Sequence, residues 1–291
     1  MAGGRSYTNS FLLDGTDIND AGNGTPGGAA GLNLGIEGIR EFKILTNAYA
    51  AEYGRASGAV VNSVTKSGTN SLHGVAFHFL RNSALDARNF FDRGGIPPFK
   101  RNQFGGGLGG PIKRDRTFFF GNYEGMRQRL ALTQIALVPS TAAKSGILPV
   151  LDNRGNVTST RTVAVNPAIR PFLTLWPNPN GNTYADGTGD YVTSPSNPTN
   201  QDYFMVRVDH QLNAKNSMFG RYSFDTDSFR KYADAASPQL NSVSIASARR
   251  QYLTLQLATT FSPVLLNNFR FAYNRSVQVN DTQMIDRKSV V

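Results

Sequence analysis

The 291-residue chain contains no cysteine, which excludes disulfides and thiolate metal sites outright. Its three histidines, His73, His78 and His210, form no i,i+4 pair, so a zinc spacing is missing as well. No apolar run approaches the roughly 20 residues of a membrane-spanning helix. The opening MAGGRSYTNS lacks the charged and apolar regions of a secretory signal peptide. For a soluble chain that means cytoplasmic; for a membrane barrel it means that the N-terminus is incomplete. Charged residues make up only 17% of the sequence and tryptophan occurs once. What remains is 29 glycines, 19 Phe and 11 Tyr with many Asn and Ser, a mixture suited to strands and turns rather than helices.

The net charge of +10 raises nucleic acid as a partner. The basic residues are scattered, however, the densest cluster is KRDR at Lys113–Arg116, and no nucleic-acid motif accompanies them. No nucleic-acid partner is expected. A basic balance also suits a surface facing anionic lipid headgroups, or a lumen that attracts anionic solutes.

Catalytic signatures fail one by one. Gly105, Gly107 and Gly110 satisfy G-x-G-x-x-G, but Pro111 and a further strand follow where a dinucleotide site needs a helix. Glycines in a strand, facing a crowded surface, explain them better. Asp14, Asp17 and Asp20 do not have the alternate spacing and distant Glu of a calcium loop, and read as turn residues. There is neither a phosphate-binding G-x-x-x-x-G-K-[ST] loop nor a G-x-S-x-G elbow. No enzyme, cofactor, metal or catalytic residue is expected.

The most structured signal lies between Ile36 and Asn70. Two apolar strand candidates, IREFKIL and GAVVNSVTK, flank a small-residue segment, NAYAAEYGRASG, that can form about one helical turn before reversing direction. Upstream, SYTNSFLLDGTDIND has a short apolar core ending in the tight-turn pair Asp14-Gly15. From Ser71 the chain becomes strand-sized alternating segments. YFMVRVDHQL sets Phe204, Val206 and Val208 against Met205, Arg207 and Asp209; YLTLQLATTF sets Leu253, Leu255 and Leu257 against Thr254 and Gln256. Similar alternation runs through HGVAFHFLRN, QFGGGLGGPI, RTFFFGNYEGM, SMFGRYSFD and FRFAYN. The segments approach the roughly 9–11 residues that a tilted strand needs to cross a bilayer, with an apolar face ending in aromatics and a polar face suited to a wet lumen. Tight connections at Leu212–Ser217 and Ser262–Asn267 contrast with a long irregular segment, about 130–200, that reads as an extended loop. Pattern alone leaves a soluble β-sandwich and a membrane barrel both open.

Two stretches, FLLDG (Phe11 to Gly15) and IREFKILTNAYAAEYGRASGAVVNSVTKSGTN (Ile39 to Asn70), resemble the plug of TonB-dependent outer-membrane receptors, most closely their Oar-like branch. The pattern residues here are Asp14, Gly15, Glu41, Tyr53, Gly54, Gly58, Asn62, Thr65 and Lys66; Ala59 stands where many relatives have a second Gly. FHFLRNSALDARNFF, FKRNQFGGGLGGPI, RTFFFGNYEG and VDHQLNAKNSMFGRYSF resemble the first barrel strands. The resemblance implies a mainly β fold: a partial transmembrane antiparallel β-barrel (71–291) preceded by the C-terminal part of a small α/β plug domain (1–70). It implies a plug inside a barrel of about 22 strands. It also implies an internal fragment that lacks the TonB-contacting segment and the barrel-closing strand, and that is unstable alone because its strand edges and apolar face are exposed. The expected setting is a Gram-negative outer membrane, with membrane lipid, TonB and an unknown solute, a glycan or a peptide, as partners. The expected function is energy-coupled uptake of a large solute, and a surface adhesin or structural barrel is the alternative. Arg207, Asp209, Arg221 and Arg270 are expected to face the lumen, because each alternates with lipid-type residues.

Overall fold

The structure is a computed structural model that describes residues 8–19, 27, 35–46, 58–88, 90, 95–232 and 242–284. A four-stranded sheet comes first, in the order β2-β1-β4-β3. It comprises β1 (Ser10–Leu13), β2 (Thr16–Asp17), β3 (Ile39–Leu45) and β4 (Val60–Thr65). β1 and β2 form a two-residue hairpin in which Asp14 and Gly15 both take positive φ, 50° and 73°. Aspartate tolerates that left-handed region and glycine has no side chain to oppose it, so Asp-Gly selects this turn. β1 runs parallel to β4, and β3 antiparallel to it. The helical turn expected between β3 and β4 falls on 47–57, outside the described residues.

A seven-stranded antiparallel wall follows, ordered β15-β14-β13-β12-β7-β6-β5. Its strands are β5 (His73–Asn82), β6 (Phe99–Lys113), β7 (Thr117–Ala131), β12 (Ser196–Asn213), β13 (Asn216–Tyr232), β14 (Ser242–Ser262) and β15 (Leu265–Met284). The sheet is not closed, and β5 and β15 are its edges among the described residues. β14 is 21 residues long, about 50 Å along the barrel axis at a 45° tilt, so it extends well past an apolar band about 25 Å tall.

Tight connections all fall at one end of the wall. Ala214-Lys215 and Pro263-Val264 turn two hairpins, and Arg114-Asp115-Arg116 turns a third, which the sequence showed only as a basic cluster. Asn70 clasps this third turn: its Oδ1 accepts from the Asp115 amide (2.8 Å) and its Nδ2 donates to the Asp115 carboxylate (2.6 Å). The Ser-Gly-Thr-Asn end of the plug-like stretch therefore fixes where the chain enters the wall.

The segment between β7 and β12 corrects the expectation of one irregular loop. β8 (Gln134–Pro139) pairs with β11 (Thr188–Thr193), and β9 (Ile147–Leu151) forms a hairpin with β10 (Val157–Thr162). One-turn helices α1 (Thr141–Lys144) and α2 (Arg170–Leu173) complete it. Its proline- and asparagine-rich stretches are joints between short local pairings. They hid the strands because each run is only five or six residues long.

Alternation sorts the wall into two faces. Phe204, Val206, Val208, Leu255, Leu257, Phe269, Phe271 and Tyr273 are all exposed on the outward one. The inward face meets the small sheet and buries Asn122, Glu124, Gln201, Arg221, Asp225 and Arg250. One strand departs from the apolar-outward rule. Register pairs Phe77 with Gly105 and Gly105 with Glu124, so Phe77 is on the inward side, and so by alternation is Phe79.

Candidate functional site

The small sheet docks on the wall through the tip of its first hairpin. Arg207 and Arg221 lie directly opposite each other on β12 and β13. Two guanidinium groups at such a pair repel, and the Asp14 carboxylate compensates both. Its Oδ2 accepts from Arg221 Nη1 (2.7 Å) and from Thr65 Oγ1 (2.9 Å). Its Oδ1 accepts from the Thr65 amide (2.9 Å) and, at longer range, from Arg207 Nη1 (3.4 Å). Thr65 Oγ1 also accepts from Arg207 Nη1 (2.8 Å). Arg207 is oriented by a bidentate contact with Asp209 and lies 4.1 Å over the Phe219 ring. The Arg221 side chain is fully buried, and its Nη2 donates to Thr254 Oγ1 (2.7 Å), which is in turn 3.2 Å from Thr16 Oγ1.

Further contacts extend the seam. Arg270 donates to the Gly15 carbonyl (3.1 Å), and Asn274 to the Asp17 carbonyl (3.0 Å). Glu124 accepts from the Gly35 amide (2.7 Å) and from Gln103 (2.6 Å). Gly35 has φ 90° and lies against the Tyr203 ring, where a Cβ would overlap the ring atoms. Higher on the wall, Arg250 bridges Asp225 (2.8 Å) and Asp227 (2.7 Å) and donates to the Gly27 carbonyl. Between the sheets is a cavity of about 190 Å³, lined by Leu13, Ile18 and Ile39 on one side and by Tyr203, Arg250 and Tyr252 on the other. Among the described residues the contact combines these hydrogen bonds with a smaller apolar part, Leu13 of the small sheet and Tyr203, Met205 and Tyr252 of the wall being buried.

Of the residues singled out from the sequence, the structure brings Asp14, Gly15, Asn62, Thr65, Arg207, Asp209, Arg221 and Arg270 to this seam. Asn62 accepts from the Gly15 amide (3.2 Å), and Gly58 packs where a Cβ would crowd Asn9. Lys66 pairs with Glu37 (3.4 Å) away from the Asp14 cluster, and Glu41 meets Arg40 in an exposed pair (3.0 Å). Tyr53 and Gly54 lie outside the described residues. Glu124, Asp227, Arg250 and Thr254 were missed as partners; extending the alternation of β14 by two positions places Arg250 on the face of Thr254. The glycines of β6 make room for rings: a Cβ on Gly109 would be 2.9 Å from the Phe120 ring.

Residues 64–289 match the family model described as "Outer membrane beta barrel domain". The chain belongs to that family. This places it in the outer membrane of a Gram-negative bacterium, with lipid against its outward face. It is also 34% identical over 131 residues to the TonB-dependent transporter Oar of Myxococcus xanthus, a match covering 42% of this chain and 12% of that protein. Among solved structures it is similar to the siderophore receptor PirA of Acinetobacter baumannii, with TM-score 0.44 and 14% identity over 94% of this chain and 36% of that one. It is similar also to a mutant of the ferric enterobactin receptor PfeA of Pseudomonas aeruginosa in complex with enterobactin, with TM-score 0.46 and 11% identity over 98% of this chain and 40% of that one. The outer-membrane barrel displaces the β-sandwich reading.

Proposed function

We propose that the protein is an energy-coupled, TonB-dependent outer-membrane transporter for a large solute, and that residues 1–70 contribute to the plug of its lumen. The observation that carries this is the polar docking of the small sheet on the inward face through Asp14, Arg207 and Arg221. A barrel whose lumen is occupied cannot pass a large solute until the occupant moves. Breaking several charge-assisted hydrogen bonds at once needs work, which is what TonB coupling supplies. Hydrogen-bonded seams also suit a part that must separate and return, since freed groups can bond to water, whereas a large apolar interface would expose its area. Similarity to the transporter Oar supports the same reading. The solute is a glycan or a peptide.

The test compares solutes depleted from the growth medium by the parent strain, by a strain lacking this protein and by a strain lacking TonB. The expected result is a set of glycans or peptides consumed by the parent and left by both deletion strains. Identical depletion in all three would overturn the proposal and leave an adhesin or structural barrel.

A further inference from the structure

The folded connection between β7 and β12 contributes to a second cavity, of about 510 Å³, within the roughly 300–1,000 Å³ of small-ligand sites. None of its described lining residues belongs to a wall strand or to the small sheet, so it is separate from the seam. One side is the segment leading into β6, 95–98; the other is β11 with the stretch 180–182. Thr133 and Ser194 also line it, and Ser194 Oγ donates to Thr133 Oγ1 (3.4 Å). Long connections of such barrels lie on the outer side of the membrane, so the cavity is open to the surroundings of the cell.

Its walls are built before any ligand arrives. Asn180 pairs with β11 as a strand would: its Oδ1 accepts from the Val192 amide (2.7 Å) and its Nδ2 donates to the Val192 carbonyl (2.8 Å). The Asn180 and Gly181 amides both donate to the Asp190 carbonyl (3.0 Å each), and the Asp190 amide donates to the Asn182 carbonyl (2.7 Å). Gly181 passes so close that a Cβ there would be 3.0 Å from the Asp190 Cβ. Across the cavity, Pro97 and Pro98 have fixed φ, and the Pro98 carbonyl accepts from the Ala131 amide at the end of β7 (2.9 Å). Walls held in this way lower the ordering cost of binding.

The lining mixes polar and apolar groups. The Asn182 amide and the Thr193 hydroxyl take no part in the bonds above, and each can both donate and accept. The Asp190 carboxylate accepts from the Tyr184 hydroxyl (3.0 Å to each oxygen) and adds an acceptor that repels an anionic ligand. Ile96 and Val192 supply apolar surface on opposite sides. A sugar ring matches both parts, since its hydroxyls donate and accept while its C–H face is apolar. We infer that this cavity binds an uncharged, hydroxyl-rich unit of a glycan outside the cell, with its hydroxyls on Asn182, Thr193 and Asp190 and its apolar face against Ile96 and Val192. The inference does not rest on transport: a barrel that only attached to a glycan would use the cavity in the same way.

The test applies the whole protein in nanodiscs to an array of neutral oligosaccharides, their sialylated and sulfated counterparts, and short uncharged peptides. Neutral oligosaccharides should be captured in preference to the acidic forms. In calorimetry with the captured oligosaccharide, Asn182→Ala/Thr193→Ala should weaken binding by about tenfold, the worth of two hydrogen bonds. Ile96→Ala, on the opposite wall and exposed, should weaken it several-fold and keeps the test decisive if the double variant does not fold. Capture of no neutral oligosaccharide, preference for the acidic forms, or wild-type affinity in both variants would overturn the inference. Capture of peptides alone would overturn it too, by marking a peptide site. Nanodiscs contain no TonB, so the outcome is separate from that of the depletion experiment.

Discussion

Asp14 holds four donors around one carboxylate at the tip of a turn that few residues other than aspartate and glycine can form. Its two requirements, left-handed backbone and negative charge, explain why the pair is Asp-Gly and not Asn-Gly. Losing the carboxylate leaves Arg221 buried with one side of its guanidinium uncompensated. Removing one partner of a buried ion pair costs about 3–5 kcal/mol. Asp14→Ala should therefore loosen β1–β4 from the wall while the wall itself stays folded. Hydrogen exchange of the whole protein checks this: amides of β1 and β4 should exchange faster by at least tenfold, with β12–β14 unchanged. Equal protection in the variant would show that the other contacts of the seam, among them Arg270–Gly15 and Glu124–Gly35, hold the sheet without Asp14. This contact could not be read from the sequence, because Asp14 and Arg221 are 207 positions apart and nothing local links them. The Asp-Gly turn was legible; its partner was not.

Among the strands, legibility followed the difference between the two faces. In β12 Val206 and Val208 alternate with Arg207 and Asp209, and in β14 Leu253, Leu255 and Leu257 alternate with Thr254 and Gln256, and over these stretches the registers agree with the faces read from alternation. β5 did not separate so cleanly, because Phe77 fits inward against Gly105, where a missing side chain leaves room for a ring. Hydrophobicity alone cannot distinguish a ring facing lipid from one lying over a glycine groove. The two-faced strands predict a position-dependent cost of charge. Leu255→Arg, within the apolar rows, should destabilise the barrel by about 2–4 kcal/mol, whereas Gln251→Arg, at the aromatic border, should cost about 0–1 kcal/mol. Urea unfolding of the whole protein in lipid vesicles measures both. Equal effects would mean that the outward face does not meet the bilayer as described.

Across the molecule, an open antiparallel wall carries a smaller sheet on its polar face and exposes its apolar face to lipid. Fold class and membrane setting were readable from composition, alternation and turn spacing together, once the plug-like stretch narrowed the choices. Which residues share a row across the wall was not readable, since a row such as Phe104, Gly125, Asp202, Thr226, Arg249 and Val277 depends on five registers between strands spread over the chain. The absence of cysteine gives a clean background for the decisive measurement. Thr16 and Thr254 bring their hydroxyls within 3.2 Å across the seam, so Thr16→Cys/Thr254→Cys places two thiols where a disulfide can tie the small sheet to the wall. Uptake of the solutes whose depletion requires this protein should stop when the disulfide forms and recover on reduction. Undiminished uptake with the disulfide fully formed would contradict the claim that the small sheet must move for the protein to work.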